Sequence, residues 1–477
     1  MHENRSEIKK RGVPGYIIIV LLACVGMAVY FNSLSNGFIL DDFSHVVDNT
    51  AIKSFSNIPA IFTHHLTHFS GQPGRFYRPL ESISFAVDHF LWGSEPFGYH
   101  LTNTLLHIFV TILVFGSIYF ITGDPVVSAL TGLLYLVHPV HTEAVAYISG
   151  RADPLSFIFL LLMMAFQRRY WTGGKQGKAV FYALLLLSFI AALLSKEAAV
   201  VFPFLLIFFE YCIRDRGNYR SVNIFFYVPL FLISVVWFLW KNTVIPTERM
   251  VEETVAFSAY IIALPRLLFD YIRLSIIPAG LHFSYKLEFP RSAFQAGYIE
   301  PAFFLCLLAP VIFYIWHMGK RSTGYRIAFF GIGWFIIALV PYLNIFFQLN
   351  SLFAEHWLYI PEMGFVLFVI YSVFSFASTA WARRSAIALF TAAICVFSFL
   401  TVRQTGIWKD EIAFYTYNIK HAPHTEMLYN NLAVEYMRRG DMAKARDLLL
   451  KAIKINPKNK RAMENLAIVE ADAYTGQ

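Results

Sequence analysis

The sequence predicts an all-α protein: a polytopic membrane bundle of about eleven crossing helices followed by a helical-repeat tail. Two observations carry this prediction. Of 477 residues, 57% are hydrophobic and only 15% are charged, where a soluble domain carries roughly 25% charged residues. The charges are also unevenly spread. Long apolar runs alternate with short charged loops up to residue 405, and residues 406–477 read as ordinary soluble protein.

Runs long enough to cross a bilayer lie near 15–36, 99–121, 126–143, 154–168, 179–195, 198–213, 222–240, 298–317, 326–346, 357–377 and 385–402. Lys9, Lys10 and Arg11 precede the first run as they would in a signal peptide, but no A-x-A-like cleavage site follows, so it reads as a retained helix. The net charge of +8 does not indicate nucleic acid, because the basic residues cluster between apolar runs. Arg5 to Arg11, Arg168 to Lys178, Arg214 to Arg220, Lys320 to Arg326 and Arg383–Arg384 all fall on one side of an eleven-span path. That side is cytoplasmic by the positive-inside rule, which puts the C-terminal tail outside the cytoplasm. Residues 258–280 are apolar but include Pro265, Arg266, Asp270 and Arg273, so they read as an outer interfacial helix. Cys24, Cys212, Cys306 and Cys395 sit inside apolar runs and read as small apolar residues.

The long loop 37–98 holds helix-like stretches near 55–68 and 78–92, and a loop of that length needs a functional reason. In the tail, Tyr429, Leu432, Ala433, Tyr436, Gly440, Ala445, Leu449, Ala452 and Pro457 follow the spacing of a tetratricopeptide repeat. The period repeats: Asn431-Leu432-Ala433 returns as Asn465-Leu466-Ala467, and Pro423 as Pro457, each 34 residues on. Fewer than three full repeats call for packing on the membrane domain or on a protein partner.

Four clusters and part of the long loop carry the candidate chemistry. Asp41-Asp42 follows the first span, where a carboxylate could take the proton of an acceptor hydroxyl; the residues equally allow a solvated pair that anchors the helix end. His138-Pro139-Val140-His141-Thr142-Glu143, followed by Gly150-Arg151-Ala152-Asp153, could contact a sugar or phosphate, with Arg151 as the phosphate partner, or could be a hydrogen-bonded turn. The spacing of His138, His141 and Glu143 is not that of a zinc helix motif. Ser195-Lys196-Glu197 either caps two helices or lines a cavity. Glu355 and His356 open the tenth span beside Trp357 and Tyr359, which read as interface anchors. Arg75 and Arg78 add positive charge to the long loop. Walker A, HExxH and GxSxG sequences are absent, as are repeated mid-span charges of the kind a proton-coupled transporter shows. Energy for a reaction must therefore come from an activated substrate.

These segments, together with Phe38-Ile39-Leu40 before Asp41 and with Phe76-Tyr77-Arg78-Pro79-Leu80, resemble the transmembrane tetratricopeptide-repeat glycosyltransferases, relatives of the protein O-mannosyltransferases. The resemblance runs through nearly the whole chain in one order. It implies a C-type glycosyltransferase fold, with residues 1–405 as the transferase domain. It also implies an inverting transfer of a sugar, mannose in this family, from a polyprenyl-phosphate donor to a hydroxyl of a protein or glycan acceptor. Asp41 and Asp42 occupy the position of that fold's acidic residue. Arg78, His138, His141, Glu143, Arg151, Asp153, Lys196, Glu197, Glu355 and His356 are the candidates for donor binding. No metal is required on this reading, although a divalent cation could join Asp41, Asp42 and His138. The tail holds about one and a half to two repeats, where eukaryotic members carry a long array. That and the lack of outer sequons point to a bacterial plasma membrane, or to the endoplasmic reticulum if the source is eukaryotic. The competing classes are a membrane scaffold that recruits partners through its repeats, and a transporter.

Overall fold

A computed structural model describes residues 14–214, 222–245, 257–285, 297–320, 322–345 and 351–475. The basic residues Arg5, Lys9, Lys10, Arg11, Arg216, Arg220 and Arg321 lie outside the described residues. Helices of eleven residues or more are α1 Gly15–Tyr30, α2 Pro79–Trp92, α3 Pro96–Thr122, α4 Pro125–Leu136, α5 Ala152–Thr172, α6 Lys175–Ser195, α7 Phe202–Ile213, α8 Ile224–Val244 and α9 Phe257–Ile276. They continue as α10 Ile299–Gly319, α11 Thr323–Leu339, α12 Pro361–Phe376, α13 Ala380–Thr405, α14 Glu411–His421, α15 Glu426–Arg438, α16 Met442–Ile455 and α17 Lys460–Thr475. No strand occurs among the described residues.

Local chemistry sets the helix ends. Proline opens α3, α4 and α12, where its missing N–H costs nothing. Asp124 caps α4, accepting from Val126 N (2.8 Å) and Val127 N (3.2 Å), immediately after Gly123 closes α3 in the left-handed conformation. One continuous apolar core then joins Leu22, Val110, Leu134, Phe157, Phe189, Leu205, Trp334 and Leu367.

Every apolar run expected to cross the membrane is a helix. Eight helical segments among the described residues are long and apolar enough to do so. Three helices are shorter: α4 and α7 have 12 residues each and α12 has 16. Twelve residues rise about 18 Å, against a hydrocarbon core of about 30 Å. Each short helix is completed by irregular backbone that carries a polar motif. Residues 137–151 follow α4, the turn 197–201 precedes α7, and the turn 355–358 precedes α12. Irregular backbone at such depth is tolerated only where protein buries it. His138, His141, Glu143 and Glu355 are indeed buried.

The stretch expected to be interfacial is α9. It turns Leu267, Tyr271 and Leu274 inward, while Arg266 and Arg273 pair with Asp270 at 2.7 and 3.7 Å. It does not qualify as a span by length and composition. In the long loop, the second expected helix is α2, whereas the stretch near 55–68 breaks into short turns. Trp357 and Tyr359 are not interface anchors. Trp357 stacks on Tyr342 at 5.2 Å, and Tyr359 is fully buried and bonded to His107 at 2.8 Å.

The tail is a run of antiparallel helices. Ala433, Ala445, Leu449, Ala452, Ala462 and Val469 form its core, and Gly440 makes the turn with φ +77°. The two asparagines 35 residues apart, Asn430 and Asn465, bond across helices at 3.0 Å. The first tail helices pack on the membrane domain. Phe414, Tyr415, Leu428 and Leu432 share a core with Ile39, Ala146 and Tyr147.

The charge pattern predicts that a reporter active only outside the cytoplasm will be active when fused after Gln477. Activity of a cytoplasm-only reporter at that position would change the span count by one and reverse the assigned side.

Candidate functional site

Leu40 adopts φ +51°, a left-handed conformation that costs a non-glycine residue about 1–3 kcal/mol. The twist sends the next two side chains apart. Asp42 turns inward and is fully buried. Its Oδ1 accepts from Ser149 N (2.9 Å) and Ser149 Oγ (2.6 Å), and its Oδ2 accepts from Ile39 N (3.1 Å). Burial pushes its carboxyl up to about 7, against these three hydrogen bonds. Asp41 is exposed, and its carboxylate makes no hydrogen bond or ion pair among the described residues. Its backbone N–H donates to the Tyr147 hydroxyl at 3.0 Å, and Tyr147 stacks on Trp408 at 5.4 Å.

Beside this loop lies a chain of charges. Glu197 accepts from Arg78 Nε at 2.9 Å and from Tyr77 N at 3.2 Å. Arg78 also faces Glu81 at 3.6 Å and lies over the Phe76 ring at 4.2 Å. Lys196 donates to Asp153 at 2.5 Å, with its ammonium 5.5 Å from the Tyr342 ring. The long loop, the turn after α4 and the turn before α7 are thus joined by ion pairs. Burial would raise the Glu197 carboxyl, but the Arg78 guanidinium holds it below the usual carboxylate range. Burial would likewise lower Lys196 further, and Asp153 opposes that shift. Glu81 is fully buried, and its carboxyl is pushed up to about 7 by burial in spite of Arg78.

A third group joins the turn after α4 to the turn before α12. Glu143 meets His356 twice, through Nδ1 at 2.8 Å and the backbone N at 3.0 Å. Burial opposes ionisation of Glu143, and His356 outweighs it. Glu355 is buried and accepts from His282 N and Tyr285 Oη, both at 2.5 Å. Its carboxyl rises well above the ordinary value through burial and the neighbouring Glu143.

The expected site residues therefore divide by environment. Arg151 was the expected phosphate partner, yet it is fully buried. It pairs with Asp88 (2.5 Å) and donates to Asn103 Oδ1 (2.6 Å), the Tyr99 carbonyl (3.0 Å) and Ser84 Oγ (3.3 Å). Its geometry is that of an internal brace. His138 is also buried, bonded to the Ser275 carbonyl at 3.2 Å and 3.5 Å from Glu362. His141 is enclosed by Tyr135 and Tyr359, with ring centroids at 4.3 and 4.9 Å. The grouping of Asp41, Asp42 and His138 weighed for a cation is not assembled: Asp42 is spent on Ser149, and His138 on α9 and α12. Among the described residues no cluster of three or more His, Cys, Asp or Glu is placed to hold a metal.

Sequence reasoning missed Ser149, Tyr147, Glu81, Asp88 and Asn103. Ser149 immediately precedes the Gly150–Asp153 motif, so extending that motif backward by one residue would have found it. Asp88 and Asn103 carry no local signal, because their role is to meet a buried guanidinium from elsewhere in the chain.

Fold and site together define an integral membrane protein of the helical-bundle class, with carboxylates and bases gathered at one end of the bundle. No family model matches the chain. Along nearly its whole length it is similar to curated protein O-mannosyl-transferases. It is 23% identical to TMTC3 of Mus musculus over 94% of this chain and 52% of that protein. It is 24% identical to TMTC4 of Mus musculus (91% and 66%) and 26% identical to F38B6.6 of Caenorhabditis elegans (95% and 65%). The chain spans between about half and two thirds of the length of these relatives. Among solved structures it overlays on the oligosaccharyltransferase of Archaeoglobus fulgidus with a TM-score of 0.48 and 13% identity, covering 89% of this chain and 59% of that one. The overlay on ArnT of Cupriavidus metallidurans bound to undecaprenyl phosphate gives a TM-score of 0.42 and 16% identity, covering 87% and 81%.

The buried carboxyl of Asp42 has a stability consequence with a definite sign. Its value of about 7 in the fold, against 3.8 unfolded, means that the folded state holds the proton between these limits. Its contribution to stability is therefore fullest below about pH 4 and declines as pH rises to about 7. Melting in detergent should show the wild type losing stability relative to Asp42→Asn over that interval. A constant or opposite difference would mean that the three hydrogen bonds outweigh burial.

Proposed function

We propose that this protein is a membrane glycosyltransferase of the C-type fold that moves a sugar, mannose by its similarity to the O-mannosyl-transferases, from a polyprenyl phosphate to a hydroxyl. The observation that carries this reading is the division of labour between Asp41 and Asp42. One carboxylate is saturated and structural, and its neighbour is open, at the end of a helix that reaches the bilayer surface. A lipid-linked donor presents its reactive carbon at that depth.

In this reading Asp41 accepts the proton of the acceptor hydroxyl. The acceptor oxygen attacks the anomeric carbon of the sugar, and the bond from that carbon to the phosphate oxygen breaks. Polyprenyl phosphate leaves with the electron pair. A single displacement of this kind inverts the anomeric configuration. The phosphate leaving group makes the transfer favourable without a nucleotide, and no metal enters the step. Arg78 and His356 are the bases of the site that keep some exposure, 13% and 28% of the side chain, and are our candidates to face the phosphate. Glu197 and Glu143 hold them in place, with Lys196, Asp153 and Glu355 behind. The tail reads as tetratricopeptide repeats that meet an acceptor protein or a partner on the outer side.

The test is turnover and donor binding for Asp41→Asn and Asp42→Asn, with labelled polyprenyl-phosphate mannose and membrane extract. Loss of a general base costs about 10²–10⁴-fold. Asp41→Asn should bind donor normally and turn over at least ~100-fold more slowly. Asp42→Asn keeps the shape and an acceptor oxygen for Ser149, so it should lose less turnover and more thermal stability. Near-normal turnover in both variants would remove this loop from the chemistry. No labelled product with any of several donors would favour the scaffold.

A further inference from the structure

The tail reaches the loop that carries Asp41 through more than apolar contact. Glu411, the first residue of α14, is largely buried in its side chain at 13% exposure and faces the backbone N–H of Leu40. Leu40 is the left-handed residue immediately before Asp41. Arg438, at the end of α15, meets Glu411 at 3.4 Å and Glu435 at 2.5 Å, and its guanidinium lies 5.9 Å from the Phe43 ring. The same stretch is fixed again by the Gly37 N–H, which donates to the Lys409 carbonyl at 2.9 Å. Leu40 itself packs against the core formed by Ile39, Tyr147, Phe414 and Tyr415. The open carboxylate thus sits on a strained turn, and one side of that turn is tail.

We propose that the tail is a wall of the site, and that Glu411, steadied by Arg438, is a positioning residue that holds the Leu40 turn and so aims Asp41. This rests on the reading of Asp41 as the base. The physical basis is direct. A left-handed non-glycine residue persists only where its surroundings over-determine it. An acceptor for its N–H is such a constraint, because an amide left without one in a buried setting costs about 1–3 kcal/mol. The surface ion pairs of Arg438 contribute little by themselves. Their effect is to orient Glu411. A base displaced by about 1 Å can lose about 10²-fold in rate without any change in donor contacts.

The consequence is a link between the tail and the chemistry. A partner or acceptor protein seated on α14 and α15 would bear on the turn that aims the base. Binding at the repeats and turnover at the membrane would then be coupled through one hydrogen-bonded turn.

The experiment uses the full chain in lipid, with polyprenyl-phosphate mannose as donor and membrane extract as acceptor source. Glu411→Ala should lower kcat about tenfold while the donor KM stays within about twofold, since the site is misaimed but intact. Glu411→Gln keeps an acceptor oxygen for the Leu40 N–H and should restore kcat to within about threefold of the wild type. Arg446→Ala, which removes the tail's exposed pair with Glu470 away from the loop, should leave both parameters unchanged. A general destabilisation of the tail would reduce kcat in Glu411→Gln as well, or would shift the melting temperature in step with activity, and either result overturns the positioning role. Asp41→Asn serves as the separate control. If it is inactive while Glu411→Ala is normal, the inference fails and the assignment of the base stands. If Asp41→Asn is active, the assignment of the base itself fails.

Discussion

The site depends on the twist at Leu40 and on the bond that rewards it, the capture of Asp42 by Ser149. Two adjacent carboxylates at the end of an apolar helix repel one another and resist burial. The left-handed turn resolves the conflict by giving them opposite directions. Three donors then satisfy Asp42 within the protein, which leaves Asp41 alone as an open acid. The strain at Leu40 is offset by this capture and by the packing of Ile39 and Leu40 against the first tail helices. Ser149 belongs to the turn after α4, so the same bond sets the register between the first loop and the rest of the polar motifs.

That register explains why three helices are short. Had α4, α7 and α12 run the full depth of a bilayer, His138, Glu197 and Glu355 would have faced hydrocarbon or been lifted into water. Ending them early gives irregular segments that can pair with one another. The pairs Arg78–Glu197, Lys196–Asp153, Arg151–Asp88 and His356–Glu143 join segments distant in sequence. Buried ion pairs of this kind add little net stability, but removing one partner costs about 3–5 kcal/mol. They act chiefly to specify one arrangement of loops over the bundle.

Much of this was legible in the sequence. Hydropathy placed all eleven apolar helices, because an apolar run at membrane depth has few alternatives to helix. The arginines and aspartate of α9 correctly set it apart from the spans. The 34-residue period located the tail helices and their alanine-packed core. The roles of individual polar residues were far less legible. Arg151 looked like a phosphate ligand because an arginine beside an outer turn usually is exposed, and nothing nearby reveals Asp88 and Asn103. His138 and His141 looked like a ligand pair and are buried in the bundle. Trp357 and Tyr359 looked like interface anchors because local sequence cannot distinguish an aromatic belt from an aromatic core. The difference between Asp41 and Asp42 was invisible for the same reason. Orientation within an irregular segment is set by tertiary bonds, and here those come from residues more than a hundred positions away.

The claim on which the account turns is that these two neighbouring carboxylates occupy opposite environments. It is tested most directly by single cysteines at each position, on a background in which Cys24, Cys212, Cys306 and Cys395 are replaced by alanine. A water-soluble maleimide applied from outside to intact cells should label Asp41→Cys rapidly and should leave Asp42→Cys unlabelled until the protein is denatured. Equal labelling of both, or labelling of Asp42→Cys alone, would contradict the division on which the assignment of the base rests.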